Sequence, residues 1–210
     1  MGNPYEEQQQ TLAPVASALP EGFADPVPLG LLGYGMTTVL LSLANAAVYE
    51  AGSMVLAMAV FFGGIAQVIV AIMAYRNRNT FALTAFAGYG FLWITIAFLT
   101  IGGIHGWAGA DSSTAMGFYL LMWAIFTFGL MIASSVAPRA LTGVLVLTVI
   151  LLSVLAIANW TESATIVKIG GWEGVLTGAS AIYLAFAFLL NETFGRTVLP
   201  VGDPLAKTAG

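Results

Sequence analysis

Cysteine is absent from the 210 residues, which excludes disulfides, thiol nucleophiles and thiolate-bound metals. Charge is nearly absent too: six Lys+Arg and ten Asp+Glu make up 8% of the chain, against roughly 25% in an ordinary soluble domain. No basic run occurs and the net charge is -4, so nothing on the chain suits a nucleic-acid backbone. There is one histidine, His105, and no Gly-x-Ser-x-Gly elbow. Hydrolytic triads and three- or four-ligand metal sites therefore lack their parts, and neither an enzyme nor a bound metal or cofactor is expected. Strand-like alternation of apolar and polar residues is also missing, which removes an outer-membrane barrel.

Long apolar runs are what the chain has. The hydrophobic fraction is 59%, more than a soluble fold of this length can hide from water. The runs cover approximately residues 29–49, 54–74, 81–101, 115–137, 140–160 and 174–190, each near the ~20 residues that cross a bilayer as helix. The class is an all-α integral membrane protein with six transmembrane helices in one domain, residues 25–200. These boundaries leave every charge outside the spans. Residues 1–24 carry Glu6, Glu7, Glu21 and three prolines without an apolar core, which predicts a mobile acidic tail; residues 201–210 form a second, short tail. Arg76, Arg78, Arg139, Arg196 and Lys207 fall on the side of the N-terminus and Lys168 alone on the other. The positive-inside rule then predicts cytoplasmic termini.

The spans hold uncharged polarity in stripes. Tyr34, Thr38, Ser42 and Asn45 are spaced to fall within an arc of about 80 degrees on one helix. Thr80, Thr84 and Thr95 repeat the pattern on the third span, and Gln67 stands alone on the second. Hydroxyls and amides on facing helices suit a path for a small polar solute, replacing water without the several kcal/mol of a buried charge. Single residues of this kind also serve as interhelical glue.

Asp25-Pro26-Val27-Pro28-Leu29-Gly30-Leu31 reads as a helix start, with Asp as cap and prolines in the first turn. It also resembles the Asn/Asp-Pro-x-Pro-Leu-Gly-Leu signature of the acetate uptake transporter family, which includes succinate-acetate permeases. Further blocks match in order: Gly-Met-Thr-Thr (35–38), Phe-Phe-Gly-Gly-Ile-Ala-Gln (61–67), Arg-Asn-Thr-Phe (78–81, with Asn79 and Thr80), Thr-Ala-Phe-Ala-Gly-Tyr-Gly-Phe-Leu-Trp (84–93), Gly-Ala-Ser-Ala-Ile-Tyr-Leu-Ala (178–185) and Asn-Glu-Thr-Phe-Gly-Arg-Thr-Val-Leu-Pro (191–200).

The resemblance implies six helices around a pore in each protomer, a homohexameric ring in the plasma membrane, and passage of acetate and related short carboxylates, succinate among them, with proton symport as one mode. It implies an aromatic constriction whose rings look like Tyr34 and Tyr89, completed from the fifth span near Leu147 and Thr148. The chain departs from many relatives where Ala74 and Phe188 stand for glutamates and Arg78 for a glycine. Two other readings stay open at this point: a channel for neutral solutes such as urea or amides, and a membrane sensor or scaffold with the acidic tail as its partner-binding element.

Overall fold

The computed structural model describes residues 24–107 and 112–205; residues 1–23 of the expected tail and Lys207 lie outside them. Six helices are long and apolar enough to cross a membrane, and no strand occurs among the described residues. They are α1 Val27–Asn45, α2 Ser53–Arg76, α3 Thr80–His105, α4 Ser113–Val136, α5 Arg139–Trp160 and α6 Ala164–Phe194.

Local chemistry sets their ends. Asn79, Ser112 and Ser163 accept backbone N–H groups of α3, α4 and α6 through their side chains, the donors being Ala82, Ala115 and Ile166, which satisfies first-turn donors that lack partners inside the helix. Gly106 and Gly195 close α3 and α6 in the left-handed conformation, with φ of 66° and 60°, where a Cβ is disfavoured.

Two boundaries differ from the hydropathy reading. α1 stops at Asn45, because the chain turns through Ala47 at φ 61° and the Tyr49 hydroxyl folds back to donate to the Leu40 carbonyl. α6 begins at Ala164, ten residues before the apolar run, since the Ser163 cap starts a helix where glycines and charge still depress hydropathy. Its 31 residues span about 46 Å, longer than the ~30 Å hydrocarbon core. The expectation that no ionisable side chain lies within a span is therefore corrected. Lys168 and Glu173 both belong to α6, and half-buried Glu173 accepts the Thr177 hydroxyl at 2.8 Å while its other oxygen is sealed without a partner.

The bundle is apolar outside and hydroxyl-bearing inside. Phe61, Phe98, Phe118 and Ile132 are exposed, whereas Thr37, Gln67, Thr127, Ser134, Thr148 and Thr177 are buried, the arrangement expected when the surrounding solvent is lipid. α1 packs most extensively on α6, and α4 on α5. The α1–α6 seam is close because Gly35 and Gly178 face each other: a Cβ on Gly178 would stand 2.6 Å from the Gly35 carbonyl oxygen. In α2, residues Met58–Ala66 form a π-helical stretch, and its Gly63 and Gly64 let the widened turn sit against Thr37, Trp93 and Ile94.

Candidate functional site

Three cavities follow one another through the bundle. The first, about 30 Å³, opens near the N-terminal ends of α1, α3 and α5 and is lined by Val27, Leu31, Phe81, Phe86, Leu141 and Leu145 among others. The second, about 60 Å³, holds Thr38, Ser42 and Asn45 together with Trp93, Leu151 and Leu152. The third, about 500 Å³, widens at the opposite end around Thr100, Trp107, Met116 and Asn159. Asn45, Ile96, Leu120 and Leu155 border both the second and the third. Tyr34, Tyr89 and Thr148 border both the first and the second. A volume near 30 Å³ admits water but little more, and these three residues stand where the first two cavities are divided.

Glycine sets up that division. Tyr34 lies between Gly33 and Gly35, whose absent side chains let α1 approach the Phe62 carbonyl on one side and α6 on the other. Tyr89 lies between Gly88 and Gly90, which receive the Phe126 ring and Val68. The two tyrosine rings meet at 5.1 Å with a 45° tilt, within the range of favourable offset pairs. Phe126 meets Tyr89 edge-on at 5.8 Å.

Hydroxyl accounting fixes the donors. Thr148 donates to the Val144 carbonyl at 2.8 Å, so in its 2.7 Å contact with Tyr34 the tyrosine donates, each hydroxyl having a single hydrogen. Likewise Thr127 donates to the Trp123 carbonyl and accepts from the Tyr89 hydroxyl at 3.0 Å. Thr38 donates to the Tyr34 carbonyl at 2.7 Å. The constriction thus carries no spare donor.

Of the residues marked in the sequence, Tyr34, Thr38, Ser42, Asn45, Tyr89 and Thr148 surround one cavity. Leu147 does not; one residue from Thr148 it lies about 100 degrees round the helix, and Leu141, Val144 and Leu145 line the passage instead. Gln67 is fully buried behind the wall, donating to the Gly30 carbonyl at 2.9 Å, and borders none of the three cavities. Thr84 and Thr95 are exposed, bonded to the Thr80 carbonyl and to the Leu92 carbonyl and Tyr119 hydroxyl. The stripe on α3 is formed by Phe86, Tyr89, Trp93 and Ile96, invisible in a run that is apolar on every face. Thr127 was missed, although it is the one Ser or Thr between residues 115 and 133.

The motif blocks have structural work of their own. Asp25 accepts the Val27 N–H at 3.0 Å. Burial pushes its carboxyl above the ordinary aspartate range; that hydrogen bond pulls the other way, and the charge of Glu192 pushes up again. Asn191 takes the N–H groups of Val198 and Leu199, Tyr183 donates to the Pro200 carbonyl, and Ala140 N–H donates to Val201. Residues 195–201 are so tied back onto α5 and α6.

The pattern of the GPR1/FUN34/yaaH family matches residues 8–203. The chain belongs to that family. Within the GPR1/FUN34/yaaH proteins, it is 42% identical over 180 residues to the succinate-acetate/proton symporter SatP of Escherichia coli, covering 86% of this chain and 96% of SatP. It is 36% identical over 198 residues to ammonia transport outward protein 2 of Saccharomyces cerevisiae, covering 87% of this chain and 68% of that one. Its fold superimposes on the structure of the bacterial acetate channel SatP with a TM-score of 0.84 at 42% identity, over 86% of this chain and 99% of that chain. At the positions where the family resemblance anticipates glutamates, Ala74 is buried and Phe188 packs against the core.

Proposed function

We propose that the protein is a membrane transporter whose protomer passes acetate and related short carboxylates, succinate among them, through its own six-helix bundle. The observation that carries this reading is the row of three cavities meeting at Tyr34, Tyr89 and Thr148. In this closed form the solute leaves water at the wide end, meets Thr38, Ser42 and Asn45, and must part the two rings to continue. The likeness to SatP, a symporter and an acetate channel by name, supports carboxylate as the cargo.

Three finer elements belong to the same proposal: cytoplasmic termini in the plasma membrane, from the basic residues clustered at one end; a homohexamer, from the family resemblance; and movement of the solute with a proton, from the SatP relative. Radiolabelled acetate uptake into proteoliposomes tests the cargo. Uptake above empty vesicles, inhibited by propionate and not by urea, is the expected result; no uptake refutes it. Similarity to an ammonia transport protein favours a neutral small solute as the second reading, and dominant competition by urea or ammonia would select it.

A further inference from the structure

Tyr34 and Tyr89 are held differently. Thr127, which fixes the Tyr89 hydroxyl, borders none of the cavities, so that bond lies behind the ring and orients it. Thr148 borders both cavities at the narrowing and faces Tyr34 from α5. The 2.7 Å Tyr34–Thr148 bond therefore crosses the path itself, tying α1 to α5 between residues 114 apart in sequence.

We infer that Thr148 is the latch of the pore: its oxygen holds the Tyr34 hydroxyl across the passage, and a carboxylate advances by taking that hydrogen bond for itself. The inference rests on the carboxylate-pore reading above and adds how the same site is regulated. Thr148's own hydrogen stays on the Val144 carbonyl, so the exchange moves one O–H from a neutral hydroxyl oxygen to a charged oxygen. Charge-assisted hydrogen bonds are roughly twice as strong as neutral ones, so a carboxylate displaces Thr148 where an amide of the same size only matches it. Leucine or valine at position 148 would close the space with no bond to break, and only a hydroxyl makes the barrier chemical as well as steric.

The test uses the whole protein in proteoliposomes, with acetate and acetamide as probes at pH 8, where the free acid is a trace species. Thr148→Val keeps the shape and removes the latch. Flux of both probes should rise by a common factor of about five, equivalent to about 1 kcal/mol for one net hydrogen bond. Thr148→Ser keeps the hydroxyl and should rescue the low wild-type flux. Tyr34→Phe removes latch and donor together, so the acetate-to-acetamide ratio should fall. Flux of Thr148→Val at or below wild type, in monodisperse protein, overturns the latch. Should that variant be lost in purification, an unchanged ratio in Tyr34→Phe overturns it equally. Wild-type vesicles without acetate flux would remove the carboxylate-pore reading and the latch together, whereas active wild type with an unmoved Thr148→Val removes the latch alone.

Discussion

Replacing Gly178 by alanine should loosen the pore from outside it. A Cβ there would stand 2.6 Å from the Gly35 carbonyl oxygen, 2.7 Å from Val39 Cγ2 and 2.9 Å from Val39 N. Two of these three atoms are backbone, so no side-chain rotation relieves the clash. The helices must part by about 0.4 Å to escape it and about 0.8 Å to regain ordinary van der Waals contact. Overpacking of this kind typically costs about 1–3 kcal/mol, and small residues at close helix crossings are what association in lipid relies on. The gain in helix propensity from glycine to alanine, about 1 kcal/mol, offsets part of it and leaves a net loss of up to about 2 kcal/mol, toward the upper end because the atoms met are backbone.

The displacement also reaches function, because Tyr34 directly precedes Gly35 and its hydroxyl bond to Thr148 spans only 2.7 Å. Unfolding of purified Gly178→Ala in a graded denaturing detergent, read by tryptophan fluorescence, should show a lowered midpoint, and acetate flux should shift with it. Gly143 supplies the control: no atom lies within 4 Å of a Cβ built there, so Gly143→Ala should lose nothing. A Gly178→Ala midpoint at or above wild type refutes the close-packed seam.

Arg78 holds a left-handed backbone at φ 58°, a conformation costing a non-glycine residue of order 1 kcal/mol; Arg78→Gly should raise the unfolding free energy by about that amount and with it the midpoint, and a lowered midpoint would refute strain as the larger effect at this position. Asp25 has a folded-state pKa raised by burial, so the fold binds its proton more tightly than the unfolded chain does. Its contribution to stability therefore falls as pH rises from the ordinary value of 3.8 through the folded pKa. Asp25→Asn keeps an acceptor for the Val27 N–H and should flatten this part of the pH profile while raising stability at pH 7; a profile with wild-type slope in a thermal scan across mildly acid pH would contradict the assignment.

How far the sequence could be read depended on contrast. The six helices stand out because charge and proline interrupt otherwise continuous apolar runs. Hydropathy places the start of α6 late because it measures transfer to lipid, whereas the helix is started by the Ser163 hydroxyl and extends past the hydrocarbon. That error hid Glu173 by one residue. The hydroxyl stripe on α1 was legible, since Tyr34, Thr38, Ser42 and Asn45 are polar in an apolar run, and periodicity alone puts them together. The matching wall on α3 was not, because Phe86, Trp93 and Ile96 differ little from neighbours that face lipid. Polarity misled in the other direction at Gln67: in a membrane protein an isolated amide satisfies backbone as readily as it serves a solute, and here Gly30 takes it.

The same reasoning explains why the narrowing is built from tyrosine and threonine. A hydroxyl buried in lipid surroundings must find an acceptor, and a threonine within a helix finds one four residues back, as Thr148, Thr127 and Thr38 do. Having donated, each threonine keeps only acceptor capacity, which is what a tyrosine hydroxyl across the bundle requires. Backbone carbonyls thus set the polarity of the whole chain, from Val144 to Thr148 to Tyr34 and from Trp123 to Thr127 to Tyr89. The first chain ends on a hydroxyl hydrogen in the passage that a better acceptor can take, the second ends behind the Tyr89 ring and fixes it, and no buried charge is needed to recruit an anion.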